Sequence, residues 1–421
     1  MRCRQITRSS GQCGIKRARH RVRQYVKWGY HRDLTKVTDG YYRWRNTIWF
    51  LLHLRKLKHG RLLGDLVFLY RTTEHGSSDA IRRLYGSLIV AAYEEGCKAH
   101  WRTFRPPFPH EKDDPNRTHL ETFIGQRGLQ VEFDGGLDPS TLSISEADTA
   151  ARYAVEELAN FPQWLPDLAG AHHGPVQSVL RNCVEADWLL TGPNARGSGV
   201  ADRLYHGAPS LSRLMARELL GMLRISDPGS PRLLLNVVGV ILRGSPGSAS
   251  NVAQLAAVRV RAHLLHGLLV APWLLVWLWL DALAALDWLE EKSSSTPRDD
   301  IDALFLAVGS WMNEDTGRPM AIDETPSYHD LGPLRRLLRL FYRHVRPEDD
   351  VHRVGTYSPD SRDHTQEFRD ALLNRLTNTP GPEAHAALVG LADDPLFVRH
   401  REQVLSRHFP DNPQFQPTFP R

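Results

Sequence analysis

Arg362 to Pro395 reads RDHTQEFRDALLNRLTNTPGPEAHAALVGLADDP, and the fold class follows from it. Phe368, Leu372 and Leu376 recur every four residues, a spacing that sets apolar side chains on one face of an α-helix. Thr379-Pro380-Gly381 breaks that helix, because proline cannot continue the hydrogen-bond ladder and glycine tolerates left-handed backbone. Pro382 then takes a first-turn position, with Glu383 beside it where the helix dipole favours an acid. Ala384, Ala387, Leu388 and Leu391 form the next apolar stripe, and Asp394-Pro395 opens a third helix with Phe397, Val404 and Leu405 turned inward. Short helices joined by Pro/Gly turns predict an all-α, HEAT-like helical array. No strict repeat recurs, so the array is irregular.

Upstream the same period continues. Helices are expected over Pro175–Leu190, Ser210–Leu223, Pro231–Leu242, Ala249–Leu268, Ile301–Met312 and Leu331–Val345. Ser143-x-x-Glu146 is a capping box with Leu142 placed as a hydrophobic staple. Tyr41–Leu57 and Asp79–Phe104 read as two further helices, the second with Asp79 as N-cap and Pro106-Pro107 as its stop. Gly128–Asp138 (GLQVEFDGGLD) is the best strand candidate.

Leu264–Leu280 (LLHGLLVAPWLLVWLWL) carries no charge. A spanning helix wants about 20 apolar residues, and this stretch is shorter and holds His266, Gly267 and Pro272. The apolar pattern also continues through Leu289 to Lys292. The expectation is one long central helix buried on all sides, with no membrane contact.

Composition is that of an ordinary folded protein: hydrophobic residues are 41% and charged residues 24%. The formal net charge of +5 hides an asymmetry. Residues 1–110 hold 23 Lys+Arg against 7 Asp+Glu, whereas residues 111–421 hold 30 against 41. The balance flips in the Pro-rich stretch Phe108–Asn116, which is where a domain boundary is expected. The resulting organisation is a disordered basic leader over 1–32, a basic helical module over 33–110, a helical array over 117–292 and 298–410, and an extended tail over 411–421. The leader has no apolar core and therefore does not read as a secretory signal.

Motifs for chemistry are weak. Gly192–Ser198 mimics a phosphate loop but lacks the lysine that engages the phosphates. Gly244-Ser-Pro-Gly-Ser248 has proline where a nucleophile elbow needs serine. His263 and His266 share a helix face, yet no Asp, Glu or Cys completes a metal set. Cys3, Cys13, Cys97 and Cys183 form no C-x-x-C pair. Acidic pairs such as Asp299-Asp300, Asp349-Asp350 and Asp393-Asp394 read as helix caps. We therefore expect no enzyme activity, no metal and no cofactor.

One surface is suggestive. Arg21, Arg23, Lys27, Arg43, Arg45, Arg55, Lys56 and Lys58 interleave with aromatics such as Trp28. Cations neutralise phosphates and aromatics stack on bases, so this surface suits nucleic acid or an acidic partner. The competing reading places Trp44, Ile48, Leu51 and Leu52 in the core and leaves the cations as a solvated face.

Two stretches carry a family resemblance. GLQVEFDGGLDPSTLS at 128–143, with ARYAVEELANFPQWLPDLA at 151–169, is one, and FRDALLNRLTNTPGPEAHAALVGLADDP at 368–395 is the other. Both resemble the C-terminal helical-repeat region of large bacterial NACHT-type STAND NTPases, and the likeness runs from about residue 110 to the end. It implies a cytoplasmic sensor from antiphage defence that recognises a protein or other macromolecule. In that family the Walker lysine and Mg²⁺-binding acids sit in an N-terminal ATPase domain. No stretch here matches that domain, so the resemblance implies a severed or stand-alone sensor piece and carries over no catalytic residue.

Overall fold

The computed structural model describes residues 40–114, 118–157, 159–191, 199–263, 265, 267–313, 325–350 and 358–400. Among them are 19 α-helices and no strand, so the fold is all-α. The chain forms two compact units, residues 1–183 and 184–421. The expected leader and tail lie outside the described residues.

The first unit is built around one helix. Its elements are α1 (Gly40–Leu52), α2 (Leu54–Lys58), α3 (Leu63–Thr72), α4 (Ser78–Tyr85), α5 (Ser87–Thr103), α6 (Leu120–Asp134), α7 (Ile144–Val155) and α8 (Leu165–Ala171). The division between units falls within α9 (His173–Trp188). Every helix from α1 to α4, together with α6 and α7, packs on α5. The reason lies in its core face: Ile89, Val90, Tyr93, Cys97 and Trp101 are all buried. Where α5 meets α6, a Cβ on Gly128 would collide with the Cys97 carbonyl oxygen. Backbone approach this close needs glycine, and it draws the two helices into extensive contact across the Pro-rich stretch between them. The compact unit thus runs through the point where the charge balance flips.

Three local expectations are corrected here. Gly128–Asp138 is not a strand, because Gly128 to Asp134 forms the second half of α6. Its alternating Leu129, Val131 and Phe133 imitate a strand, but tight packing on α5 decides for helix. Asp79 is not the N-cap, since Ser77 accepts from the Ala80 N–H while Asp79 pairs with Arg82 at 2.6 Å. Asp79–Phe104 is also two helices, broken at Gly86, whose φ of +90° only glycine adopts readily. The capping box stands as expected. Ser143 Oγ accepts from the Glu146 N–H, and the Glu146 carboxylate accepts from the Ser143 N–H at 3.0 Å.

The second unit contains α10 (Val200–His206), α11 (Pro209–Ile225), α12 (Pro231–Gly244), α13 (Ala249–Ala262), α14 (Val270–Leu280), α15 (Ala282–Ser295), α16 (Arg298–Asn313), α17 (Leu331–His344), α18 (Ser361–Asn378) and α19 (Pro382–Ala392). Packed pairs include α11 with α12, α13 with α14, α14 with α16, and α16 with α18. Val270 to Trp279 of α14 is buried at every position, as its uncharged sequence requires. The long helix expected through Lys292 is instead two. Asp281 ends α14 and its carboxylate accepts from the Ala284 N–H, which starts α15. Among the described residues no helix is long and apolar enough to cross a membrane.

The C-terminal stretch follows its sequence signals. Asp360 caps α18 by accepting from Arg362 and Asp363 N–H groups. Gly381, at a φ of +113°, turns the chain into α19. Where the third helix is expected, the described residues hold a 3-10 turn over Pro395–His400, and Val404 and Leu405 lie outside the described residues. Capping accounts for Asp394, which accepts from the Leu396 N–H, but not for Asp350. Asp350 instead answers Arg369 and Arg362, at 2.5 and 3.4 Å.

Candidate functional site

Helix α1 has two apolar faces. The inner one anchors it: Phe50 is buried, edge-on to Tyr85 at 5.3 Å and tilted against Phe68 at 6.2 Å. Half-buried Trp49 lies tilted against His53 and donates its indole N–H to Asp65 at 3.0 Å. The outer face is Trp44, Ile48, Leu51 and Leu52, one-face spacing on a helix. These are exposed, Trp44 by 63% and Leu52 by 76%, so the reading that put all four in the core is corrected. Phe50 occupies the core instead, with half-buried Trp49 packed against it.

A cleft of about 180 Å³ lies between α1 and α3. Ile48, Trp49, Leu52 and Phe68 form its apolar lining, with Arg45 and Asp65 as charged members. Burial pushes the Asp65 carboxyl above its ordinary range, and the Trp49 hydrogen bond opposes that only in part. Nothing local in the sequence pointed to Asp65 or Phe68. They reach the cleft because α3 folds back beside α1.

Helix α2 follows directly. Its sequence, LRKLK, buries Leu57 and exposes Arg55, Lys56 and Lys58. Cations suit the C-terminal end of a helix. A glycine turn at Gly60, with φ of +68°, leads to exposed Arg61. None of Arg55, Lys56, Lys58 and Arg61 makes an ion pair among the described residues. Beyond them opens a shallow basin of about 720 Å³, where Lys58 and Arg61 face Lys98, Arg102, Glu95 and Glu132. The cations on its far side are answered: Lys98 pairs with Glu95 at 3.1 Å, and Arg102 with Glu132 at 2.7 Å and Glu146 at 3.0 Å.

The second unit has ion pairs of the same kind. Arg336 bridges Asp287 and Glu290, Arg339 meets Asp394 at 3.1 Å, and Arg259 and His263 share Asp227. Of the residues expected to form the basic surface, Arg43 is exposed and Arg45 half-buried on α1, while Arg55, Lys56 and Lys58 line α2. Arg21, Arg23, Lys27 and Trp28 lie outside the described residues, as do the Gly192–Ser198 loop and His266.

The two cysteines among the described residues are enclosed. Cys97 and Cys183 are free thiols without exposure, and burial pushes Cys97 up to about 12, far from a nucleophilic thiolate at neutral pH. Among the described residues no three His, Cys, Asp or Glu side chains converge in a way that would hold a metal ion. Gly244–Ser248 is a turn joining α12 to α13. No family model matches the chain, and neither does any curated protein or solved structure.

Proposed function

We propose that this chain is a non-enzymatic helical recognition region, of the kind that serves as the sensor of a STAND-type defence protein, and that it meets its ligand through the face formed by α1 and α2. The observation that carries this reading is a cluster of cations next to an exposed apolar helix face. Arg55, Lys56, Lys58 and Arg61 are exposed within seven residues of one another and make no ion pair among the described residues. Unmatched surface cations attract an anionic partner and speed its approach. The all-α fold and the helix pair at 361–392 agree with the sensor resemblance.

The experiment is retention of the full chain on a heparin resin, beside a variant carrying Arg55→Glu, Lys56→Glu and Lys58→Glu. Wild type should elute at clearly higher salt than the variant, since each lost phosphate- or sulfate-type contact lowers the salt slope. Equal elution would contradict the reading, and so would ATP turnover by the pure wild-type chain.

A further inference from the structure

We infer that the ligand of this face is an acidic amphipathic helix presented by another protein. This rests on the recognition reading above and adds the partner's class. Three observations converge. Trp44, Ile48, Leu51 and Leu52 form an exposed apolar stripe along α1. Such a stripe on a stable helix is a surface that another helix covers by ridge-into-groove packing. Beside it lies the concave cleft floored by Trp49 and Phe68, of a size for one apolar side chain. Arg45 lines that cleft, and exposed Arg43 on α1 and Arg55, Lys56 and Lys58 on α2 add positive charge to the same two helices.

Each feature narrows the occupant. Nucleic acid uses aromatic rings and cations but gains little from Ile48, Leu51 and Leu52. A membrane surface uses the aliphatic stripe and the cations but leaves a concave cleft unfilled. The chain's own residues 1–32 hold ten Lys/Arg and no acid, the same sign as the face they would have to cover. A helix with leucine or phenylalanine on one side and glutamate flanking it satisfies stripe, cleft and cations together. One apolar anchor enters the cleft, and its acids meet Arg43 and the α2 cations.

The test uses a fluorescent synthetic helix with Leu and Phe on one face and Glu on the other, titrated with the full chain. A scrambled peptide of the same composition is the control. Leu52→Asp and Trp44→Ala alter exposed positions and leave the fold intact, which circular dichroism checks. We expect binding to the amphipathic peptide alone, weakened about tenfold or more by either substitution. Scrambled and ordered peptides binding alike, or no effect of Leu52→Asp, would overturn the proposal. Tighter capture of a single-stranded oligonucleotide or of phosphatidylserine vesicles would overturn it in favour of that ligand. Self-association abolished by Leu52→Asp would do so in favour of a second copy. If heparin retention still falls on reversal of Arg55, Lys56 and Lys58, the recognition reading survives and only the partner class fails.

Discussion

Arg369 shows how a single residue can hold a charge inside this protein. It is 3% exposed, pairs with Asp350 at 2.5 Å, donates to the Val345 carbonyl and lies over the Tyr342 ring at 5.2 Å. Removing the acid strands a buried cation, so Asp350→Ala should cost about 3–5 kcal/mol in denaturant unfolding. A loss below about 1 kcal/mol would mean that the carbonyl and ring suffice. His329 gives a second residue-scale prediction. Burial, reinforced by Arg375, lowers it to about 4. Below its ordinary value the unfolded chain takes up a proton that the fold refuses, so this contribution is complete above about pH 6.5. It is lost progressively as the pH falls from there towards 4. Burial lowers His100 and His344 in the same direction. The melting temperature should therefore drop across that window, and less steeply in His329→Gln. Parallel curves for the two proteins would contradict this.

Some helix boundaries were legible in the sequence because the deciding interaction is local, although the local cap at Asp281 and the break at Gly86 were not read. Thr379-Pro380-Gly381 marks the turn before α19, and Ser143 with Glu146 marks the start of α7. Where the decision came from a distant helix, the sequence misled. Leu129, Val131 and Phe133 alternate as in a strand, but Gly128 against Cys97 and Gly125 against Tyr153 place that segment flush on its neighbours as a helix. Gly128→Ala tests this at the scale of the element. The added methyl must push α6 off α5, so we expect about 1–3 kcal/mol of destabilisation in denaturant unfolding. An unchanged midpoint would show that the pair is not held so closely. The candidate face was half legible for the same reason. Arg55, Lys56 and Lys58 stand out as charge, but Trp44 and Phe50 look equally apolar in a one-dimensional pattern. Only the arrival of Tyr85 and Phe68 decides that Phe50 turns inward and Trp44 outward.

At the scale of the whole molecule, ion pairs run through both units: Arg102 answers Glu132 and Glu146 in the first as Arg336 answers Asp287 and Glu290 in the second. The acids that dominate after residue 110 are substantially used at home: Asp227, Asp287, Glu290, Asp350 and Asp394 each answer a basic side chain of the same unit. Among the described residues Arg55, Lys56 and Lys58 make no ion pair, and the α1–α2 face adds an apolar stripe and a cleft. Ligand capture by that face can be followed by amide hydrogen exchange of the full chain with and without poly-L-glutamate at low salt. Slowed exchange should be confined to residues 43–61 and should disappear when Arg55, Lys56 and Lys58 are reversed to Glu. Slowing that centres on another part of the chain, or survives the reversal, would contradict capture by that face.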